Sequence, residues 1–252
     1  MTSIPPGRPR RAPLLTATCA LAVTGAVVLT GCGGGGDPDA GTNGVGKLSA
    51  GQIQSRTRSA ADAAETVRLS GTVVAGGRTY TLDMRLKADG GTGSVTSQGS
   101  TLQLLRVGRR LYLKADAGFW NQAEGQDGGS GDAVAAKLGG KYVKVPQGDP
   151  AYKKFSGFTY KSVLLDGLLP LHGRLAKEGH HDQAGTPTIR ITGDDGSGGT
   201  LDVSLQGKPY PLRLVRAGAA GTLRFSDWGQ DFTVTEPASS DTVDYGKQLP
   251  TS

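Results

Sequence analysis

Leu29-Thr30-Gly31-Cys32 is the one stretch of this 252-residue chain whose residue types and spacing prescribe a covalent step. An apolar residue, two small residues and then cysteine resemble a bacterial lipobox. There the cysteine sulfur takes a diacylglycerol and a signal peptidase cuts the bond before it. Cys32 is then the lipidation site and the first residue of the mature protein. A single acyl chain holds a protein only marginally, whereas two or more, at about 0.8 kcal/mol per buried methylene, hold it firmly.

Other residues that could do chemistry read differently. His172, His180 and His181 are the only histidines. His180-His181-Asp182 has ligand-type side chains, but adjacent residues point apart in regular structure and no fourth ligand is identifiable. The segment reads as a solvated loop between a helix and a strand. Gly31-x-Gly33-x-x-Gly36 matches a dinucleotide fingerprint in letters only, because no strand precedes it and no helix pattern opens on it. No Gly-x-Ser-x-Gly elbow occurs, which disfavours that class of serine hydrolase. Arg106, Arg109 and Arg110 could meet an anionic headgroup, although a charge cluster near a turn is usually solvated. The expectation is a protein that is not an enzyme, with no cofactor and no metal.

The elements that position Cys32 follow from what precedes it. Arg8, Arg10 and Arg11 form a basic leader and no acidic residue occurs before Asp37. The 18 residues from Ala12 to Leu29 are largely apolar. Together with the small residues of the cut site they read as a lipoprotein signal peptide over 1–31. Its positive flank stays inside, so the remainder is extracytoplasmic, at the outer face of the cell membrane. The leader's three arginines account for half of the net charge of +6, leaving +3 on residues 32–252. No block of Lys and Arg interleaved with aromatics tracks a nucleic acid. The two cysteines are Cys19, inside the leader, and Cys32, so the folded part has no disulfide and relies on an apolar core.

Residues 32–47 read as the lipidated Cys and a flexible glycine-rich tether, with a reach of about 20 Å. A single domain follows over 48–244, with a tail over 245–252. Ser49-x-x-Gln52 is a capping box opening an alanine-rich helix. From Thr66 the apolar period changes to two: Tyr80, Leu82, Met84 and Leu86 alternate with Thr81, Asp83 and Arg85. Further strands are expected near 92–97, 101–107, 109–114 and 141–145, with a polar loop over 124–132. Leu164, Leu168, Leu171 and Leu175 recur at helical spacing around Pro170, predicting two short helices or a kinked one. Strands resume at 189–191, 201–206, 212–215, 222–226 and 231–235. The fold class is α+β: a strongly curved antiparallel half-barrel of about 10–11 strands. The N-terminal helix and a helical insert cover its concave face.

Several segments in this order resemble the LppX/LprG-type lipoproteins of actinobacteria, which are distantly similar in fold to the periplasmic lipoprotein carriers. They are SGTVVAGGRTYTLDMRL, VGRRLYLKADAGFW, KYVKVP, GKPYPLRL and GTLRFSDWGQDFTVTEP. The similarity spans roughly Leu48 to Asp244. It implies a half-barrel whose apolar concave side holds the acyl chains of a lipid or glycolipid, for transport or presentation in the cell envelope. The candidate lining is Leu82, Met84, Leu104, Leu164, Leu168, Leu201, Val203, Leu212 and Leu214, with Tyr112 and Trp120 at the mouth. Besides the membrane and such a lipid, no partner is implied. The alternative is an envelope sensor or protein-interaction lipoprotein whose half-barrel is filled, since alternating apolar residues are core by default.

Overall fold

A computed structural model describes residues 38–116, 119 and 138–244. The Leu29–Cys32 stretch expected to be a lipobox, Trp120, the 124–132 interval and the tail over 245–252 lie outside the described residues. Twelve strands form one curved, unclosed sheet. The first half is a meander of β1 (Thr66–Ala75), β2 (Arg78–Lys87), β3 (Gly90–Ser97), β4 (Ser100–Val107), β5 (Arg110–Ala115) and β6 (Tyr142–Val145). The second comprises β7 (Leu175–Gln183), β8 (Thr186–Gly193), β9 (Thr200–Ser204), β10 (Pro211–Val215) and β11 (Thr222–Ser226). The halves meet where β1 pairs antiparallel with β11. Finally β12 (Thr242–Asp244) pairs parallel with β6, leaving β12 and β7 as the edges.

The hairpin chemistry is local. Gly76 and Gly77 both take positive φ, which a two-residue turn matched to the strand twist requires. Alternation then sends one face of every strand inward. One inner row runs Val143, Leu113, Leu104, Gly93, Met84, Leu69 and Phe225 across seven strands. Burying each large aliphatic side chain in such rows contributes about 1.5–3 kcal/mol.

Three described helices lie beside the sheet: α1 (Ala50–Ala63), α2 (Pro150–Ser156) and α3 (Lys161–Leu168). The capping box at α1 forms both of its bonds. Ile53, Thr57 and Ala61, four residues apart, are its buried face. At the other end Lys161 Nζ donates to the carbonyls of Ala61, Asp62 and Ala64 at 3.1, 2.8 and 2.7 Å. One ammonium from α3 therefore satisfies the orphan carbonyls where α1 ends.

Four sequence expectations are corrected. The helical run stops at Leu168, and Leu175 opens β7 instead of closing a helix. Pro170 and Gly173 (φ 77°) end the helical stretch between them. His180 and His181 consequently lie in an edge strand, not a loop. Residues 231–235 form no strand but belong to a strap that crosses the outer face and delivers β12. Lastly, the chain from Asp39 to Lys47, expected as free tether, is docked. Asn43 donates to the carbonyls of Ser204 and Leu205, Val45 is buried, and Lys177 Nζ donates to Gly46 O at 2.7 Å. A glycine-rich composition hides such docking because the bonds involve the backbone.

Candidate functional site

The inner face of β2–β4 ends in two chemically different ways. At one end, the row Val145, Leu111, Arg106, Gly91, Leu86 and Val67 places an arginine among aliphatic neighbours. Arg106 is 1% exposed. Its Nε and Nη2 donate to Thr159 O at 3.2 and 3.0 Å, and Nη1 to Gly108 O at 2.7 Å. The guanidinium also lies 4.0 Å from the centre of the Tyr160 ring. Burial pushes its pKa down, with the nearby tyrosines and Asp89 opposing. Its planar fork joins two turns of the sheet to the linker between α2 and α3. Next to it, a Cβ on Gly91 would stand 2.6 Å from Thr159 O, so only glycine admits that linker so close to the sheet.

Tyr152 of α2 reinforces this end. Its hydroxyl donates to Arg109 O at 2.9 Å and lies 3.3 Å from the Tyr160 hydroxyl. Burial, followed by the bond with Tyr160, pushes its pKa up to about 12. A neutral phenol therefore persists there across the physiological range.

At the opposite end, among the described residues, no buried cation closes the space. Tyr80, Val95 and Leu102 of the sheet face Phe155 of α2 and Phe119 across an opening of about 80 Å³. Arg78 and Lys154 stand at its rim with Ser97, Gln98 and Ser100. Phe119 meets Phe155 edge-on with ring centres 6.3 Å apart, and Tyr80 meets Phe158 at 6.4 Å. These are shape contacts, free of the directional bonds that hold the Arg106 end.

The candidate lining residues fall into three groups. Leu82, Met84, Leu104, Leu201, Val203 and Leu214 are buried in the core. Leu168 and Leu214 also border a small opening of about 40 Å³ beneath Pro170. Leu164 is partly buried against the core, and Leu212 is half-buried where β10 shifts register against β9. Tyr112 is corrected: it pairs with Leu105 on the outer face, where its hydroxyl donates to Glu236 at 2.9 Å. Strand parity excludes it from the concave side. Burial first, and that bond second, raise its pKa.

Sequence reasoning passed over Val95, Leu102 and Phe155, and it grouped Arg106 with Arg109 and Arg110 as a surface cluster, whereas Arg106 is buried. Val95 and Leu102 carried the signal of alternation, since they extend the row of Leu82. Arg106 carried none: an arginine two residues before a turn looks solvated, whereas Arg109 and Arg110 beside it are exposed. The histidines do not converge. His180 Nε2 lies 3.0 Å from Asp39 Oδ1, and among the described residues no group of three or more His, Cys, Asp or Glu side chains could hold a metal.

No protein-family model matches the chain, and no curated protein matches it by sequence. Solved structures do. LprF from Mycobacterium bovis superposes with a TM-score of 0.50 at 15% identity, covering 75% of this chain and 97% of that one. The lipoprotein LppX from Mycobacterium tuberculosis gives 0.44 at 16% identity, covering 73% and 96%. The likeness to LprF lies in the unclosed, curved sheet with helices beside it.

Proposed function

We propose, for a chain with the LppX/LprG-type fold, an extracytoplasmic lipoprotein anchored through acyl chains on Cys32 that accepts the acyl tail of an amphiphile. The 1–31 leader is removed and the chain between Cys32 and Asp39 spaces the domain from the membrane. The reading is non-catalytic. It rests on the open end of the inner face, where an apolar floor of Tyr80, Val95, Leu102 and Phe155 lies beneath Arg78 and Lys154. Such a rim suits the head of an anionic amphiphile above a buried tail. The opening is well below the about 300 Å³ at which pockets for drug-sized ligands begin. Loading therefore requires the Phe155 side of α2 to move off the sheet, pivoting on the Tyr152 end.

The test is native mass spectrometry, with an organic extract, of the Cys32→Ser chain purified from cells. We expect a bound lipid, depleted by Leu102→Trp, which fills the opening. A lipid-free chain that also fails to bind acyl probes sinks the carrier reading. It would favour the second one, a filled sensor or interaction domain, which draws on the complete burial of Met84 and Leu201. Anchoring is checked separately: metabolic acyl label and membrane retention should both disappear in Cys32→Ser.

A further inference from the structure

We propose that the outer face of the sheet carries a second site, a trough for a neutral oligosaccharide. It lies opposite the acyl opening and does not depend on it. The trough has a cavity volume of about 330 Å³ and is floored by β1–β4, with Tyr142 of β6 as a wall. Thr92, Ser94 and Gln103 contribute neutral donors and acceptors, and Arg68, Asp83 and Arg85 the charged ones. Arg68 and Arg85 also border an adjoining groove that ends at Phe232. From β6 to β1 the surface spans five strand spacings, about 24 Å, which suits a chain of sugars more than a single one.

The charges decide the ligand class. Arg68 is bidentate to Asp83, at 2.9 and 2.8 Å, and Arg85 lies 3.8 Å from Asp227. Each arginine of the floor is thus paired with a carboxylate, Asp83 inside the trough and Asp227 in the adjoining groove, and Lys114 and Lys87 stand only at the two ends, so the floor itself offers an anion little net attraction. Arg68 and Asp83 remain 38% and 46% exposed, so their unused donor and acceptor edges reach the solvent side by side. Adjacent hydroxyls of a sugar, each both donor and acceptor, complement that alternation. Tyr142, with Lys114 Nζ 5.4 Å from its ring centre, and Phe232, similarly placed near Lys87 at 5.6 Å, supply an aromatic surface at each end. The apolar C–H face of a sugar ring packs on such surfaces. An apolar partner is disfavoured because polar side chains dominate the floor.

The experiment is saturation-transfer NMR of the full chain in a sugar-free detergent, with maltohexaose, cellohexaose and mannohexaose as probes and dextran sulfate as the anionic comparison. We expect transfer from at least one neutral probe. Gln103→Ala should weaken it about two- to tenfold, the loss expected for one neutral hydrogen bond. Tyr142→Ala should weaken it by about the same factor through the lost ring contact. Gln103 is exposed, so its variant should keep the wild-type circular dichroism and melting curve. The proposal is overturned by no transfer from all three neutral probes, by undiminished transfer in both variants, or by binding of dextran sulfate alone.

Discussion

The two ends of the inner face begin from the same strands and diverge within a few residues. At the Arg106 end, carbonyls of the α2–α3 linker and of the strand turns converge on one guanidinium, and Gly91 lets the linker touch the sheet. At the Phe155 end, rings meet rings and an opening remains. A directional network specifies one arrangement, because any displacement leaves buried carbonyls unpaired. Ring contacts tolerate sliding at small cost. The helical cover is therefore held by directional bonds through Arg106, Lys161 and Tyr152 and by ring contacts alone at Phe155, which is where the proposed loading would open it.

The contrast breaks most visibly at Arg106. Arg106→Ala should cost about 3–4 kcal/mol, combining a cavity with the orphaned carbonyls of Thr159 and Gly108. Arg106→Lys should recover only part, since an ammonium cannot reproduce the fork. Urea unfolding at neutral pH measures both, and a cost under 1 kcal/mol for Arg106→Ala would mean that the end is held by packing alone. Lys161→Met should follow at about 2 kcal/mol, because it strips three carbonyls at the end of α1 of their shared donor. Hydrogen exchange should locate that loss in the last turn of α1.

At the open end the expected stability effect is smaller and the functional one larger. Phe155→Ala removes a half-buried ring and should cost about 1 kcal/mol, while changing the amount of lipid recovered with the chain. Equal costs at Phe155 and Arg106 would erase the distinction between the ends. The smallest effect concerns the outer face. The bond from Arg68 lowers the pKa of Asp83 against the opposing effect of burial. A depressed carboxylate contributes stability above its unfolded value, near 3.8, that is lost as pH falls through the folded one. The melting temperature of the wild type should thus approach that of Asp83→Asn on acidification below about pH 4, and stay ahead of it at neutral pH.

Much of the scaffold was legible because it is local. Ser49 and Gln52 identified the start of α1, Gly76-Gly77 a hairpin, and the period-two run through Leu86 a half-buried strand. The failures share one cause. β7, with the sequence LAKEGHHDQ, has little apolar alternation and owes its extension to pairing with β8. The docking of Asn43 and the strap to β12 depend equally on partners distant in sequence. The deep lining candidates were apolar for the reason any core residue is. What separates the opening from the core is the position of α2, about which strand periodicity is silent.

By itself, the sequence determined the alternation that makes a one-sided sheet, the helix start at Ser49, the absence of a disulfide from the folded part and the Leu-Thr-Gly-Cys pattern that ends at Cys32. Those are properties of neighbours along the chain: period, turn chemistry and cysteine count. Only the tertiary structure decided that Arg106 is buried while Arg109 and Arg110 are exposed, that Tyr112 faces outward, and that Arg68 and Asp83 form a neutral pair. The physical reason is that the inner end is closed by a linker whose Thr159 carbonyl lies 53 residues from Arg106 in the chain. A residue's fate as cage, core or surface is set by what folds over it, and its own neighbours do not carry that information.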